Sequence, residues 1–134
     1  MKIFLLSILI GNMTITSYRS VPEQTDSDPF ITATGEYTGS HGVALSRDLL
    51  KRWGGPIDYG DHIYIEGYGI KVVNDCMADY WCLRYKMIGG KKRCVKKKYI
   101  RNHIDIWVAT PREEKNVGWR KGHVILIKIK EKKK

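Results

Sequence analysis

Residues 102–114 read NHIDIWVATPREE, and the first seven of them decide what kind of fold the chain builds. Ile104, Ile106 and Val108 alternate with His103, Asp105 and Trp107, the period-two pattern of a strand with one face in a core and the other turned outward. Aspartate is depleted in strands and seldom fully buried without a partner. Asp105 therefore marks either a polar outer face or a carboxylate held for use, and the alternation assigns it to the outer face beside a histidine and a tryptophan. After the strand, Thr110 suits a helix N-cap, Pro111 the first helical position, and Glu113 and Glu114 the positive end of the helix dipole, which predicts a short helix over TPREEKNVG.

Outward from this stretch the pattern repeats. FITATGEYTG, GDHIYIEGYG, IKVVND and HVILIKIK are short apolar runs separated by glycine and polar turns, so the chain is mainly β. LSRDLLKRWGG, with leucines and a tryptophan at near-helical spacing before a glycine pair, predicts a second short helix or helical turn. Many short strands remove their exposed edges most simply by closing into a small barrel.

The chain's 134 residues suit a single domain. Residues 1–17, MKIFLLSILIGNMTITS, join one lysine to an apolar run and then reach small residues. We read them as a secretory signal peptide, the alternative being an ordinary first strand or helix. The run is too short to anchor the chain across a bilayer. Residues 18–29 read as a polar linker, 30–130 as the folded domain with a basic, cysteine-containing insertion at about 77–101, and 131–134 as a basic tail.

The formal charge of +10 is concentrated in residues 84–101 and 128–134. Such blocks attract nucleic acid, anionic headgroups or anionic wall polymers without choosing among them, and a solvated loop with a solubilising tail is the plain alternative. There is no helix-turn-helix, zinc-finger or RNA-recognition signature, so no specific nucleic-acid partner is expected. All three cysteines fall in or beside the insertion. In an exported chain one disulfide is expected, with Cys82 and Cys94 pinning a hairpin that turns at IGGKK and Cys76 left free. Zinc-type spacing is lacking, and neither a metal nor a cofactor is expected.

Three aspartates, Asp48 in ALSRDLL, Asp75 in IKVVNDCM and Asp105 in NHIDIWV, occur with TATGEYTG, GGPIDYGDHIYIEGYG and KNVGWRKGHVILI. In combination and order these segments resemble the bacterial 3D domain, named for three aspartates and related to the catalytic part of MltA-type lytic transglycosylases. The resemblance runs from about residue 31 to 127. It implies a six-stranded double-psi β-barrel with one or two short helices, and a secreted or periplasmic monomer acting on peptidoglycan glycan strands. It further implies Asp105 as the catalytic residue, Asp75 as its companion, and Asp48, Thr34, Gly35 and Tyr37 near the substrate groove. Two features depart from the family: the segment joining Asp75 to Asp105 is longer than the usual link, and the Gly-rich stretch after the second aspartate is missing.

The chemistry can be stated without the family. A lytic transglycosylase needs one carboxyl group, because the attacking hydroxyl belongs to the muramic acid ring. The acid protonates the glycosidic oxygen, then accepts the proton of that hydroxyl, leaving an anhydro sugar. Asp105 would need a proton affinity above the ordinary value of about 3.9, through burial or a neighbour such as Asp75. Trp107 would either stack on a sugar or pack under the following helix, and His103 would either hydrogen-bond the acid or serve structure alone. Asp48 and Asp75 have structural alternatives, in backbone hydrogen bonds at a helix start and at a strand end. The competing functional reading is a non-catalytic module that holds glycan in the groove and anionic polymers on the basic loop and tail.

Overall fold

The computed structural model describes residues 2–20 and 31–132, with side chains described over 11–20 and 31–127. Most of the expected linker falls outside these residues. Among the described residues eight strands form: β1 (Lys2–Tyr18), β2 (Gly42–Leu45), β3 (His62–Ile65), β4 (Gly69–Cys76), β5 (Tyr80–Ile88), β6 (Lys91–Tyr99), β7 (His103–Trp107) and β8 (Arg120–Lys132). Six of them close a barrel in the order β1-β7-β2-β4-β3-β8, and β5 and β6 form a separate two-stranded hairpin. The pairs β1–β7 and β2–β4 are parallel and the other barrel pairs antiparallel, an arrangement compatible with a double-psi barrel.

The barrel interior follows from strand alternation. Ile15, Val43, Leu45, Ile63, Ile65, Val73, Ile104 and Val124 lose all contact with water, and Met13, Ile106 and Leu126 nearly all. Each such side chain is worth about 1.5–3 kcal/mol when fully buried, so the closed wall is held chiefly by its inward faces. Gly42 is needed where it stands, since a Cβ there would lie 2.5 Å from the amide of the buried Asn74.

Strand β1 contains the run read above as a leader. It pairs with β7 through residues 14–18 and with β8 along most of its length, with Met13 and Ile15 in the core. The first-strand reading of that run is the one the fold uses, so the barrel begins well before residue 30. Cleavage after residue 17 would take away one of its six staves.

Two other expectations change in detail. The described part of FITATGEYTG, residues 31–39, makes no barrel strand: Ile31 and Tyr37 form an isolated bridge around a turn in which the Gly35 amide (φ 84°) donates to the Thr32 carbonyl. LSRDLLKRWGG forms two 3-10 turns, Arg47–Leu49 and Lys51–Trp53. The helix α1 (Pro111–Val117) forms with Thr110 as its cap, the hydroxyl accepting from the Glu113 amide at 3.2 Å. The insertion is the β5–β6 hairpin, turning at Gly89 and Gly90 with positive φ and closed by the Cys82–Cys94 disulfide.

Candidate functional site

Hydrogen-bond register places Thr16 of β1 opposite Asp105 of β7, Asp105 opposite Ala44 of β2, and Ala44 opposite Asp75 of β4. The four residues therefore form one row across four adjacent strands on the outer face of the barrel wall. Directly paired residues point to the same side of a sheet, and all four line a cleft of about 1180 Å3. Strand spacing sets the Asp105 and Asp75 backbones roughly 9–10 Å apart, with only the Ala44 methyl between them.

Asp75 reaches this face through an irregularity. Simple alternation after the inward-facing Val73 would turn Asp75 inward too. The register of β4 against β2 shifts between Val73 and Asp75, so that Asn74 is an extra residue and Asp75 is re-aimed outward. Its Oδ1 accepts from the Ala33 and Cys76 amides at 3.0 and 2.9 Å, and its Oδ2 from the Tyr18 hydroxyl at 3.1 Å. The loop at 31–37 is thereby tied to the cleft through Ala33. Thr34, Gly35 and Tyr37 belong to that loop but do not line the cleft, and Tyr37 projects into solvent.

Asp105 is half-buried. Burial pushes its carboxyl up to about 7; Glu114 and Asp75 add to the rise, and the hydrogen bond from Thr16 opposes it. Thr16 Oγ1 donates to Asp105 Oδ1 at 2.8 Å and lies 2.7 Å from His103 Nε2. His103 is buried, and its loss of solvent, reinforced by the Lys121 ammonium, lowers it to about 4, so it is neutral near pH 7. With Asp105 ionised, the single hydroxyl proton of Thr16 goes to the carboxylate, and His103 must then carry its proton on Nε2. The result is a fixed chain from imidazole to hydroxyl to carboxylate.

The third aspartate acts at a distance. Both oxygens of Asp48 accept from the amide of Asn102, at 3.2 and 3.0 Å, and Asn102 has a left-handed backbone (φ 52°). Ser46 Oγ accepts from the next amide, His103 N, at 3.0 Å. Together they seat the start of β7, two residues ahead of Asp105. Asp48 itself does not line the cleft.

Two aromatic residues that sequence reasoning left unassigned face the opening. Trp81, at the base of the hairpin, and Trp119, just after α1, line the cleft with ring centroids 5.7 Å apart, and His103 makes an edge contact with each. Trp119 is 63% exposed, so a large flat apolar surface stands open beside the carboxylates. Its signal was present in the KNVGWRKGH segment, but nothing local related it to Asp105. Trp107 does not itself line the cleft: it packs behind it against the cluster of Tyr18, Ala44, Met77 and Ile100, its indole donates to Ser20 Oγ at 2.8 Å, and it borders a small groove with Glu113, Asn116 and Val117 of α1. Packing beside the helix, rather than a place in the cleft, is therefore its observed setting. Cys76 is free and lines the cleft, with burial pushing its thiol up and away from thiolate character. Cys82 and Cys94 are committed to each other, and no group of three or more metal-binding side chains occurs among the described residues.

Comparison with known protein families finds no matching family, and comparison with curated proteins finds no significant relative. The site must therefore be read from its own chemistry.

Proposed function

We propose that this protein is a peptidoglycan-active lytic transglycosylase, with Asp105 as general acid and then general base. One observation carries the reading: a single carboxyl group with a proton affinity near neutrality stands in an open cleft beside the exposed Trp119 and the partly buried Trp81. An acid of this kind is half protonated at about pH 7, which suits donation and recapture of a proton within one turnover. In the reaction the bond from the muramic C1 to the glycosidic oxygen breaks, and that oxygen takes the Asp105 proton. The C6 hydroxyl of the same ring bonds to C1 and returns its proton to Asp105, so no water is consumed.

Further support comes from the division of labour along the row. Asp75 would be held by its three donors as a charged neighbour able to favour the positive character that develops at C1. The aromatic pair Trp81 and Trp119 would stack on sugar rings, and Ala44 would leave room between the carboxylates for the ring being cleaved. The barrel, compatible with a double-psi fold, agrees with the resemblance to the three-aspartate family. A place in the cell envelope follows from the substrate and suits the disulfide; export would have to leave β1 in the chain.

The basic hairpin favours a second reading, a non-catalytic module holding glycan and anionic wall polymer. Incubating the full chain with peptidoglycan, and analysing soluble products by mass spectrometry, separates the two. Anhydromuramic products from the wild type but not from Asp105→Asn support the enzyme. Wall binding by both proteins without products supports the module and refutes the assignment of Asp105.

A further inference from the structure

The β5–β6 hairpin leaves the rim of the cleft at Trp81 and Ile100 and projects away from the barrel. Every residue from 83 to 93 is exposed, so neither face of the outer hairpin is covered by the other described residues. At about 3.3 Å per residue the hairpin extends roughly 25 Å. Between residues 80 and 99 it carries eight lysines and arginines and no aspartate or glutamate.

Charge alone would be an ordinary guard against edge pairing. The tip is different. Met87 and Ile88, immediately before the glycine turn, are 68% and 50% exposed, and Leu83 and Tyr85 lie behind them at 55% and 53%. Because neighbouring residues on a strand alternate, Met87 and Ile88 occupy opposite faces, so the apolar end is presented on both sides. Lys91 and Lys92 stand directly across from Ile88 and Met87, and Lys86 pairs with Arg93 one step further back, so a collar of cations flanks the apolar residues and continues behind them. Lys92 lies over the Tyr85 ring at 4.3 Å and Lys97 over Tyr80 at 4.4 Å, so the long basic side chains run along the aromatic surface instead of masking the tip.

We propose that this hairpin docks on an anionic lipid surface, its Met87–Ile88 tip entering the interface while the collar meets the headgroup phosphates. A bilayer offers an apolar layer under a negative one: Met87 and Ile88 suit the first, while the long side chains of Lys91 and Lys92 reach back, with Lys86 and Arg93 behind them, to the second. Nucleic acid or a soluble wall polymer would complement the cations but offers nothing to the exposed Met87 and Ile88. The disulfide keeps the strands in register, so the tip enters without ordering cost from a flexible loop. Docking in this way would hold the cleft roughly 25 Å from the membrane and does not depend on which reaction the cleft performs.

The test is co-sedimentation of the full-length protein with vesicles of phosphatidylcholine alone or mixed with phosphatidylglycerol, with duplex DNA as a polyanion control. Met87→Ser/Ile88→Ser and Lys91→Glu/Lys92→Glu change only exposed residues, and near-ultraviolet circular dichroism checks that the barrel persists. Expected is binding to the phosphatidylglycerol vesicles only, weakened ten-fold or more by either pair of substitutions, while the serine pair leaves DNA affinity unchanged. Failure of the wild type to bind anionic vesicles would overturn the proposal. So would serine-pair binding equal to wild type, which would reduce the hairpin to a polyanion patch.

Discussion

Replacing Asp105 with asparagine should stabilise the protein at neutral and alkaline pH while removing the group on which the proposed activity rests. The folded carboxyl titrates at about 7 against an ordinary 3.8. Between these values the folded chain holds a proton that the unfolded chain has released, so stability present below about pH 3.8 is lost progressively as pH rises to about 7. A difference of about three pH units corresponds to roughly 4 kcal/mol, an upper bound because Asp105 keeps part of its surface in water. Asparagine has nearly the same shape and its carbonyl can still accept from Thr16, yet it does not ionise. For a chain of this length each kcal/mol moves the melting temperature by about 3–4 °C, so Asp105→Asn should melt up to roughly 10–15 °C above wild type at pH 8 and close to it at pH 4. Thermal unfolding of both proteins between pH 4 and 9 measures this directly, and the neutral His103, present in both, cancels in the difference. If the two proteins keep a constant gap across that range, Asp105 is not a strained acid and the catalytic argument loses its basis.

Two further outcomes follow from the hydrogen bonds. Thr16→Val removes the donor that holds Asp105 down, so the alkaline limb of the pH profile for glycan cleavage, and the pH dependence of stability, should both move to higher pH; an unmoved profile would mean Thr16 does not tune the acid. Cys82→Ser/Cys94→Ser opens a loop with a sequence separation of 12, a closure worth about 3 kcal/mol when it acts on a whole fold. Because the hairpin stands apart from the barrel core, limited trypsinolysis at residues 84–98 should accelerate about ten-fold with little change in melting temperature, whereas a fall of many degrees would show that the hairpin supports the barrel.

Alternation made the strand at residues 103–107 legible, together with the outward side of Asp105 and the inward side of Ile104 and Ile106. The cap at Thr110 and the glycine turn of the hairpin were equally visible, because caps and tight turns depend on a few neighbouring residues. Three features lay beyond local pattern. The apolar opening run has the composition of a leader and of a buried strand alike, and only its pairing with β7 and β8, some hundred residues later, distinguishes them. Asp75 reaches the cleft through a bulge that period-two reasoning does not contain. The pairing of Trp81 with Trp119 joins two segments that share no sequence signal, and Trp107, which did carry one, is bonded to Ser20 and borders the groove beside α1 instead of lining the cleft.

The placement of β1 also bears on how the chain is made. It is the first stave to leave the ribosome, yet its hydrogen-bonded neighbours among the described residues are β7 and β8, the last two. At 5–20 residues per second its apolar edge waits on the order of ten seconds before either partner exists. Until then the barrel cannot close, and a strand template without a partner is open to pairing between nascent chains.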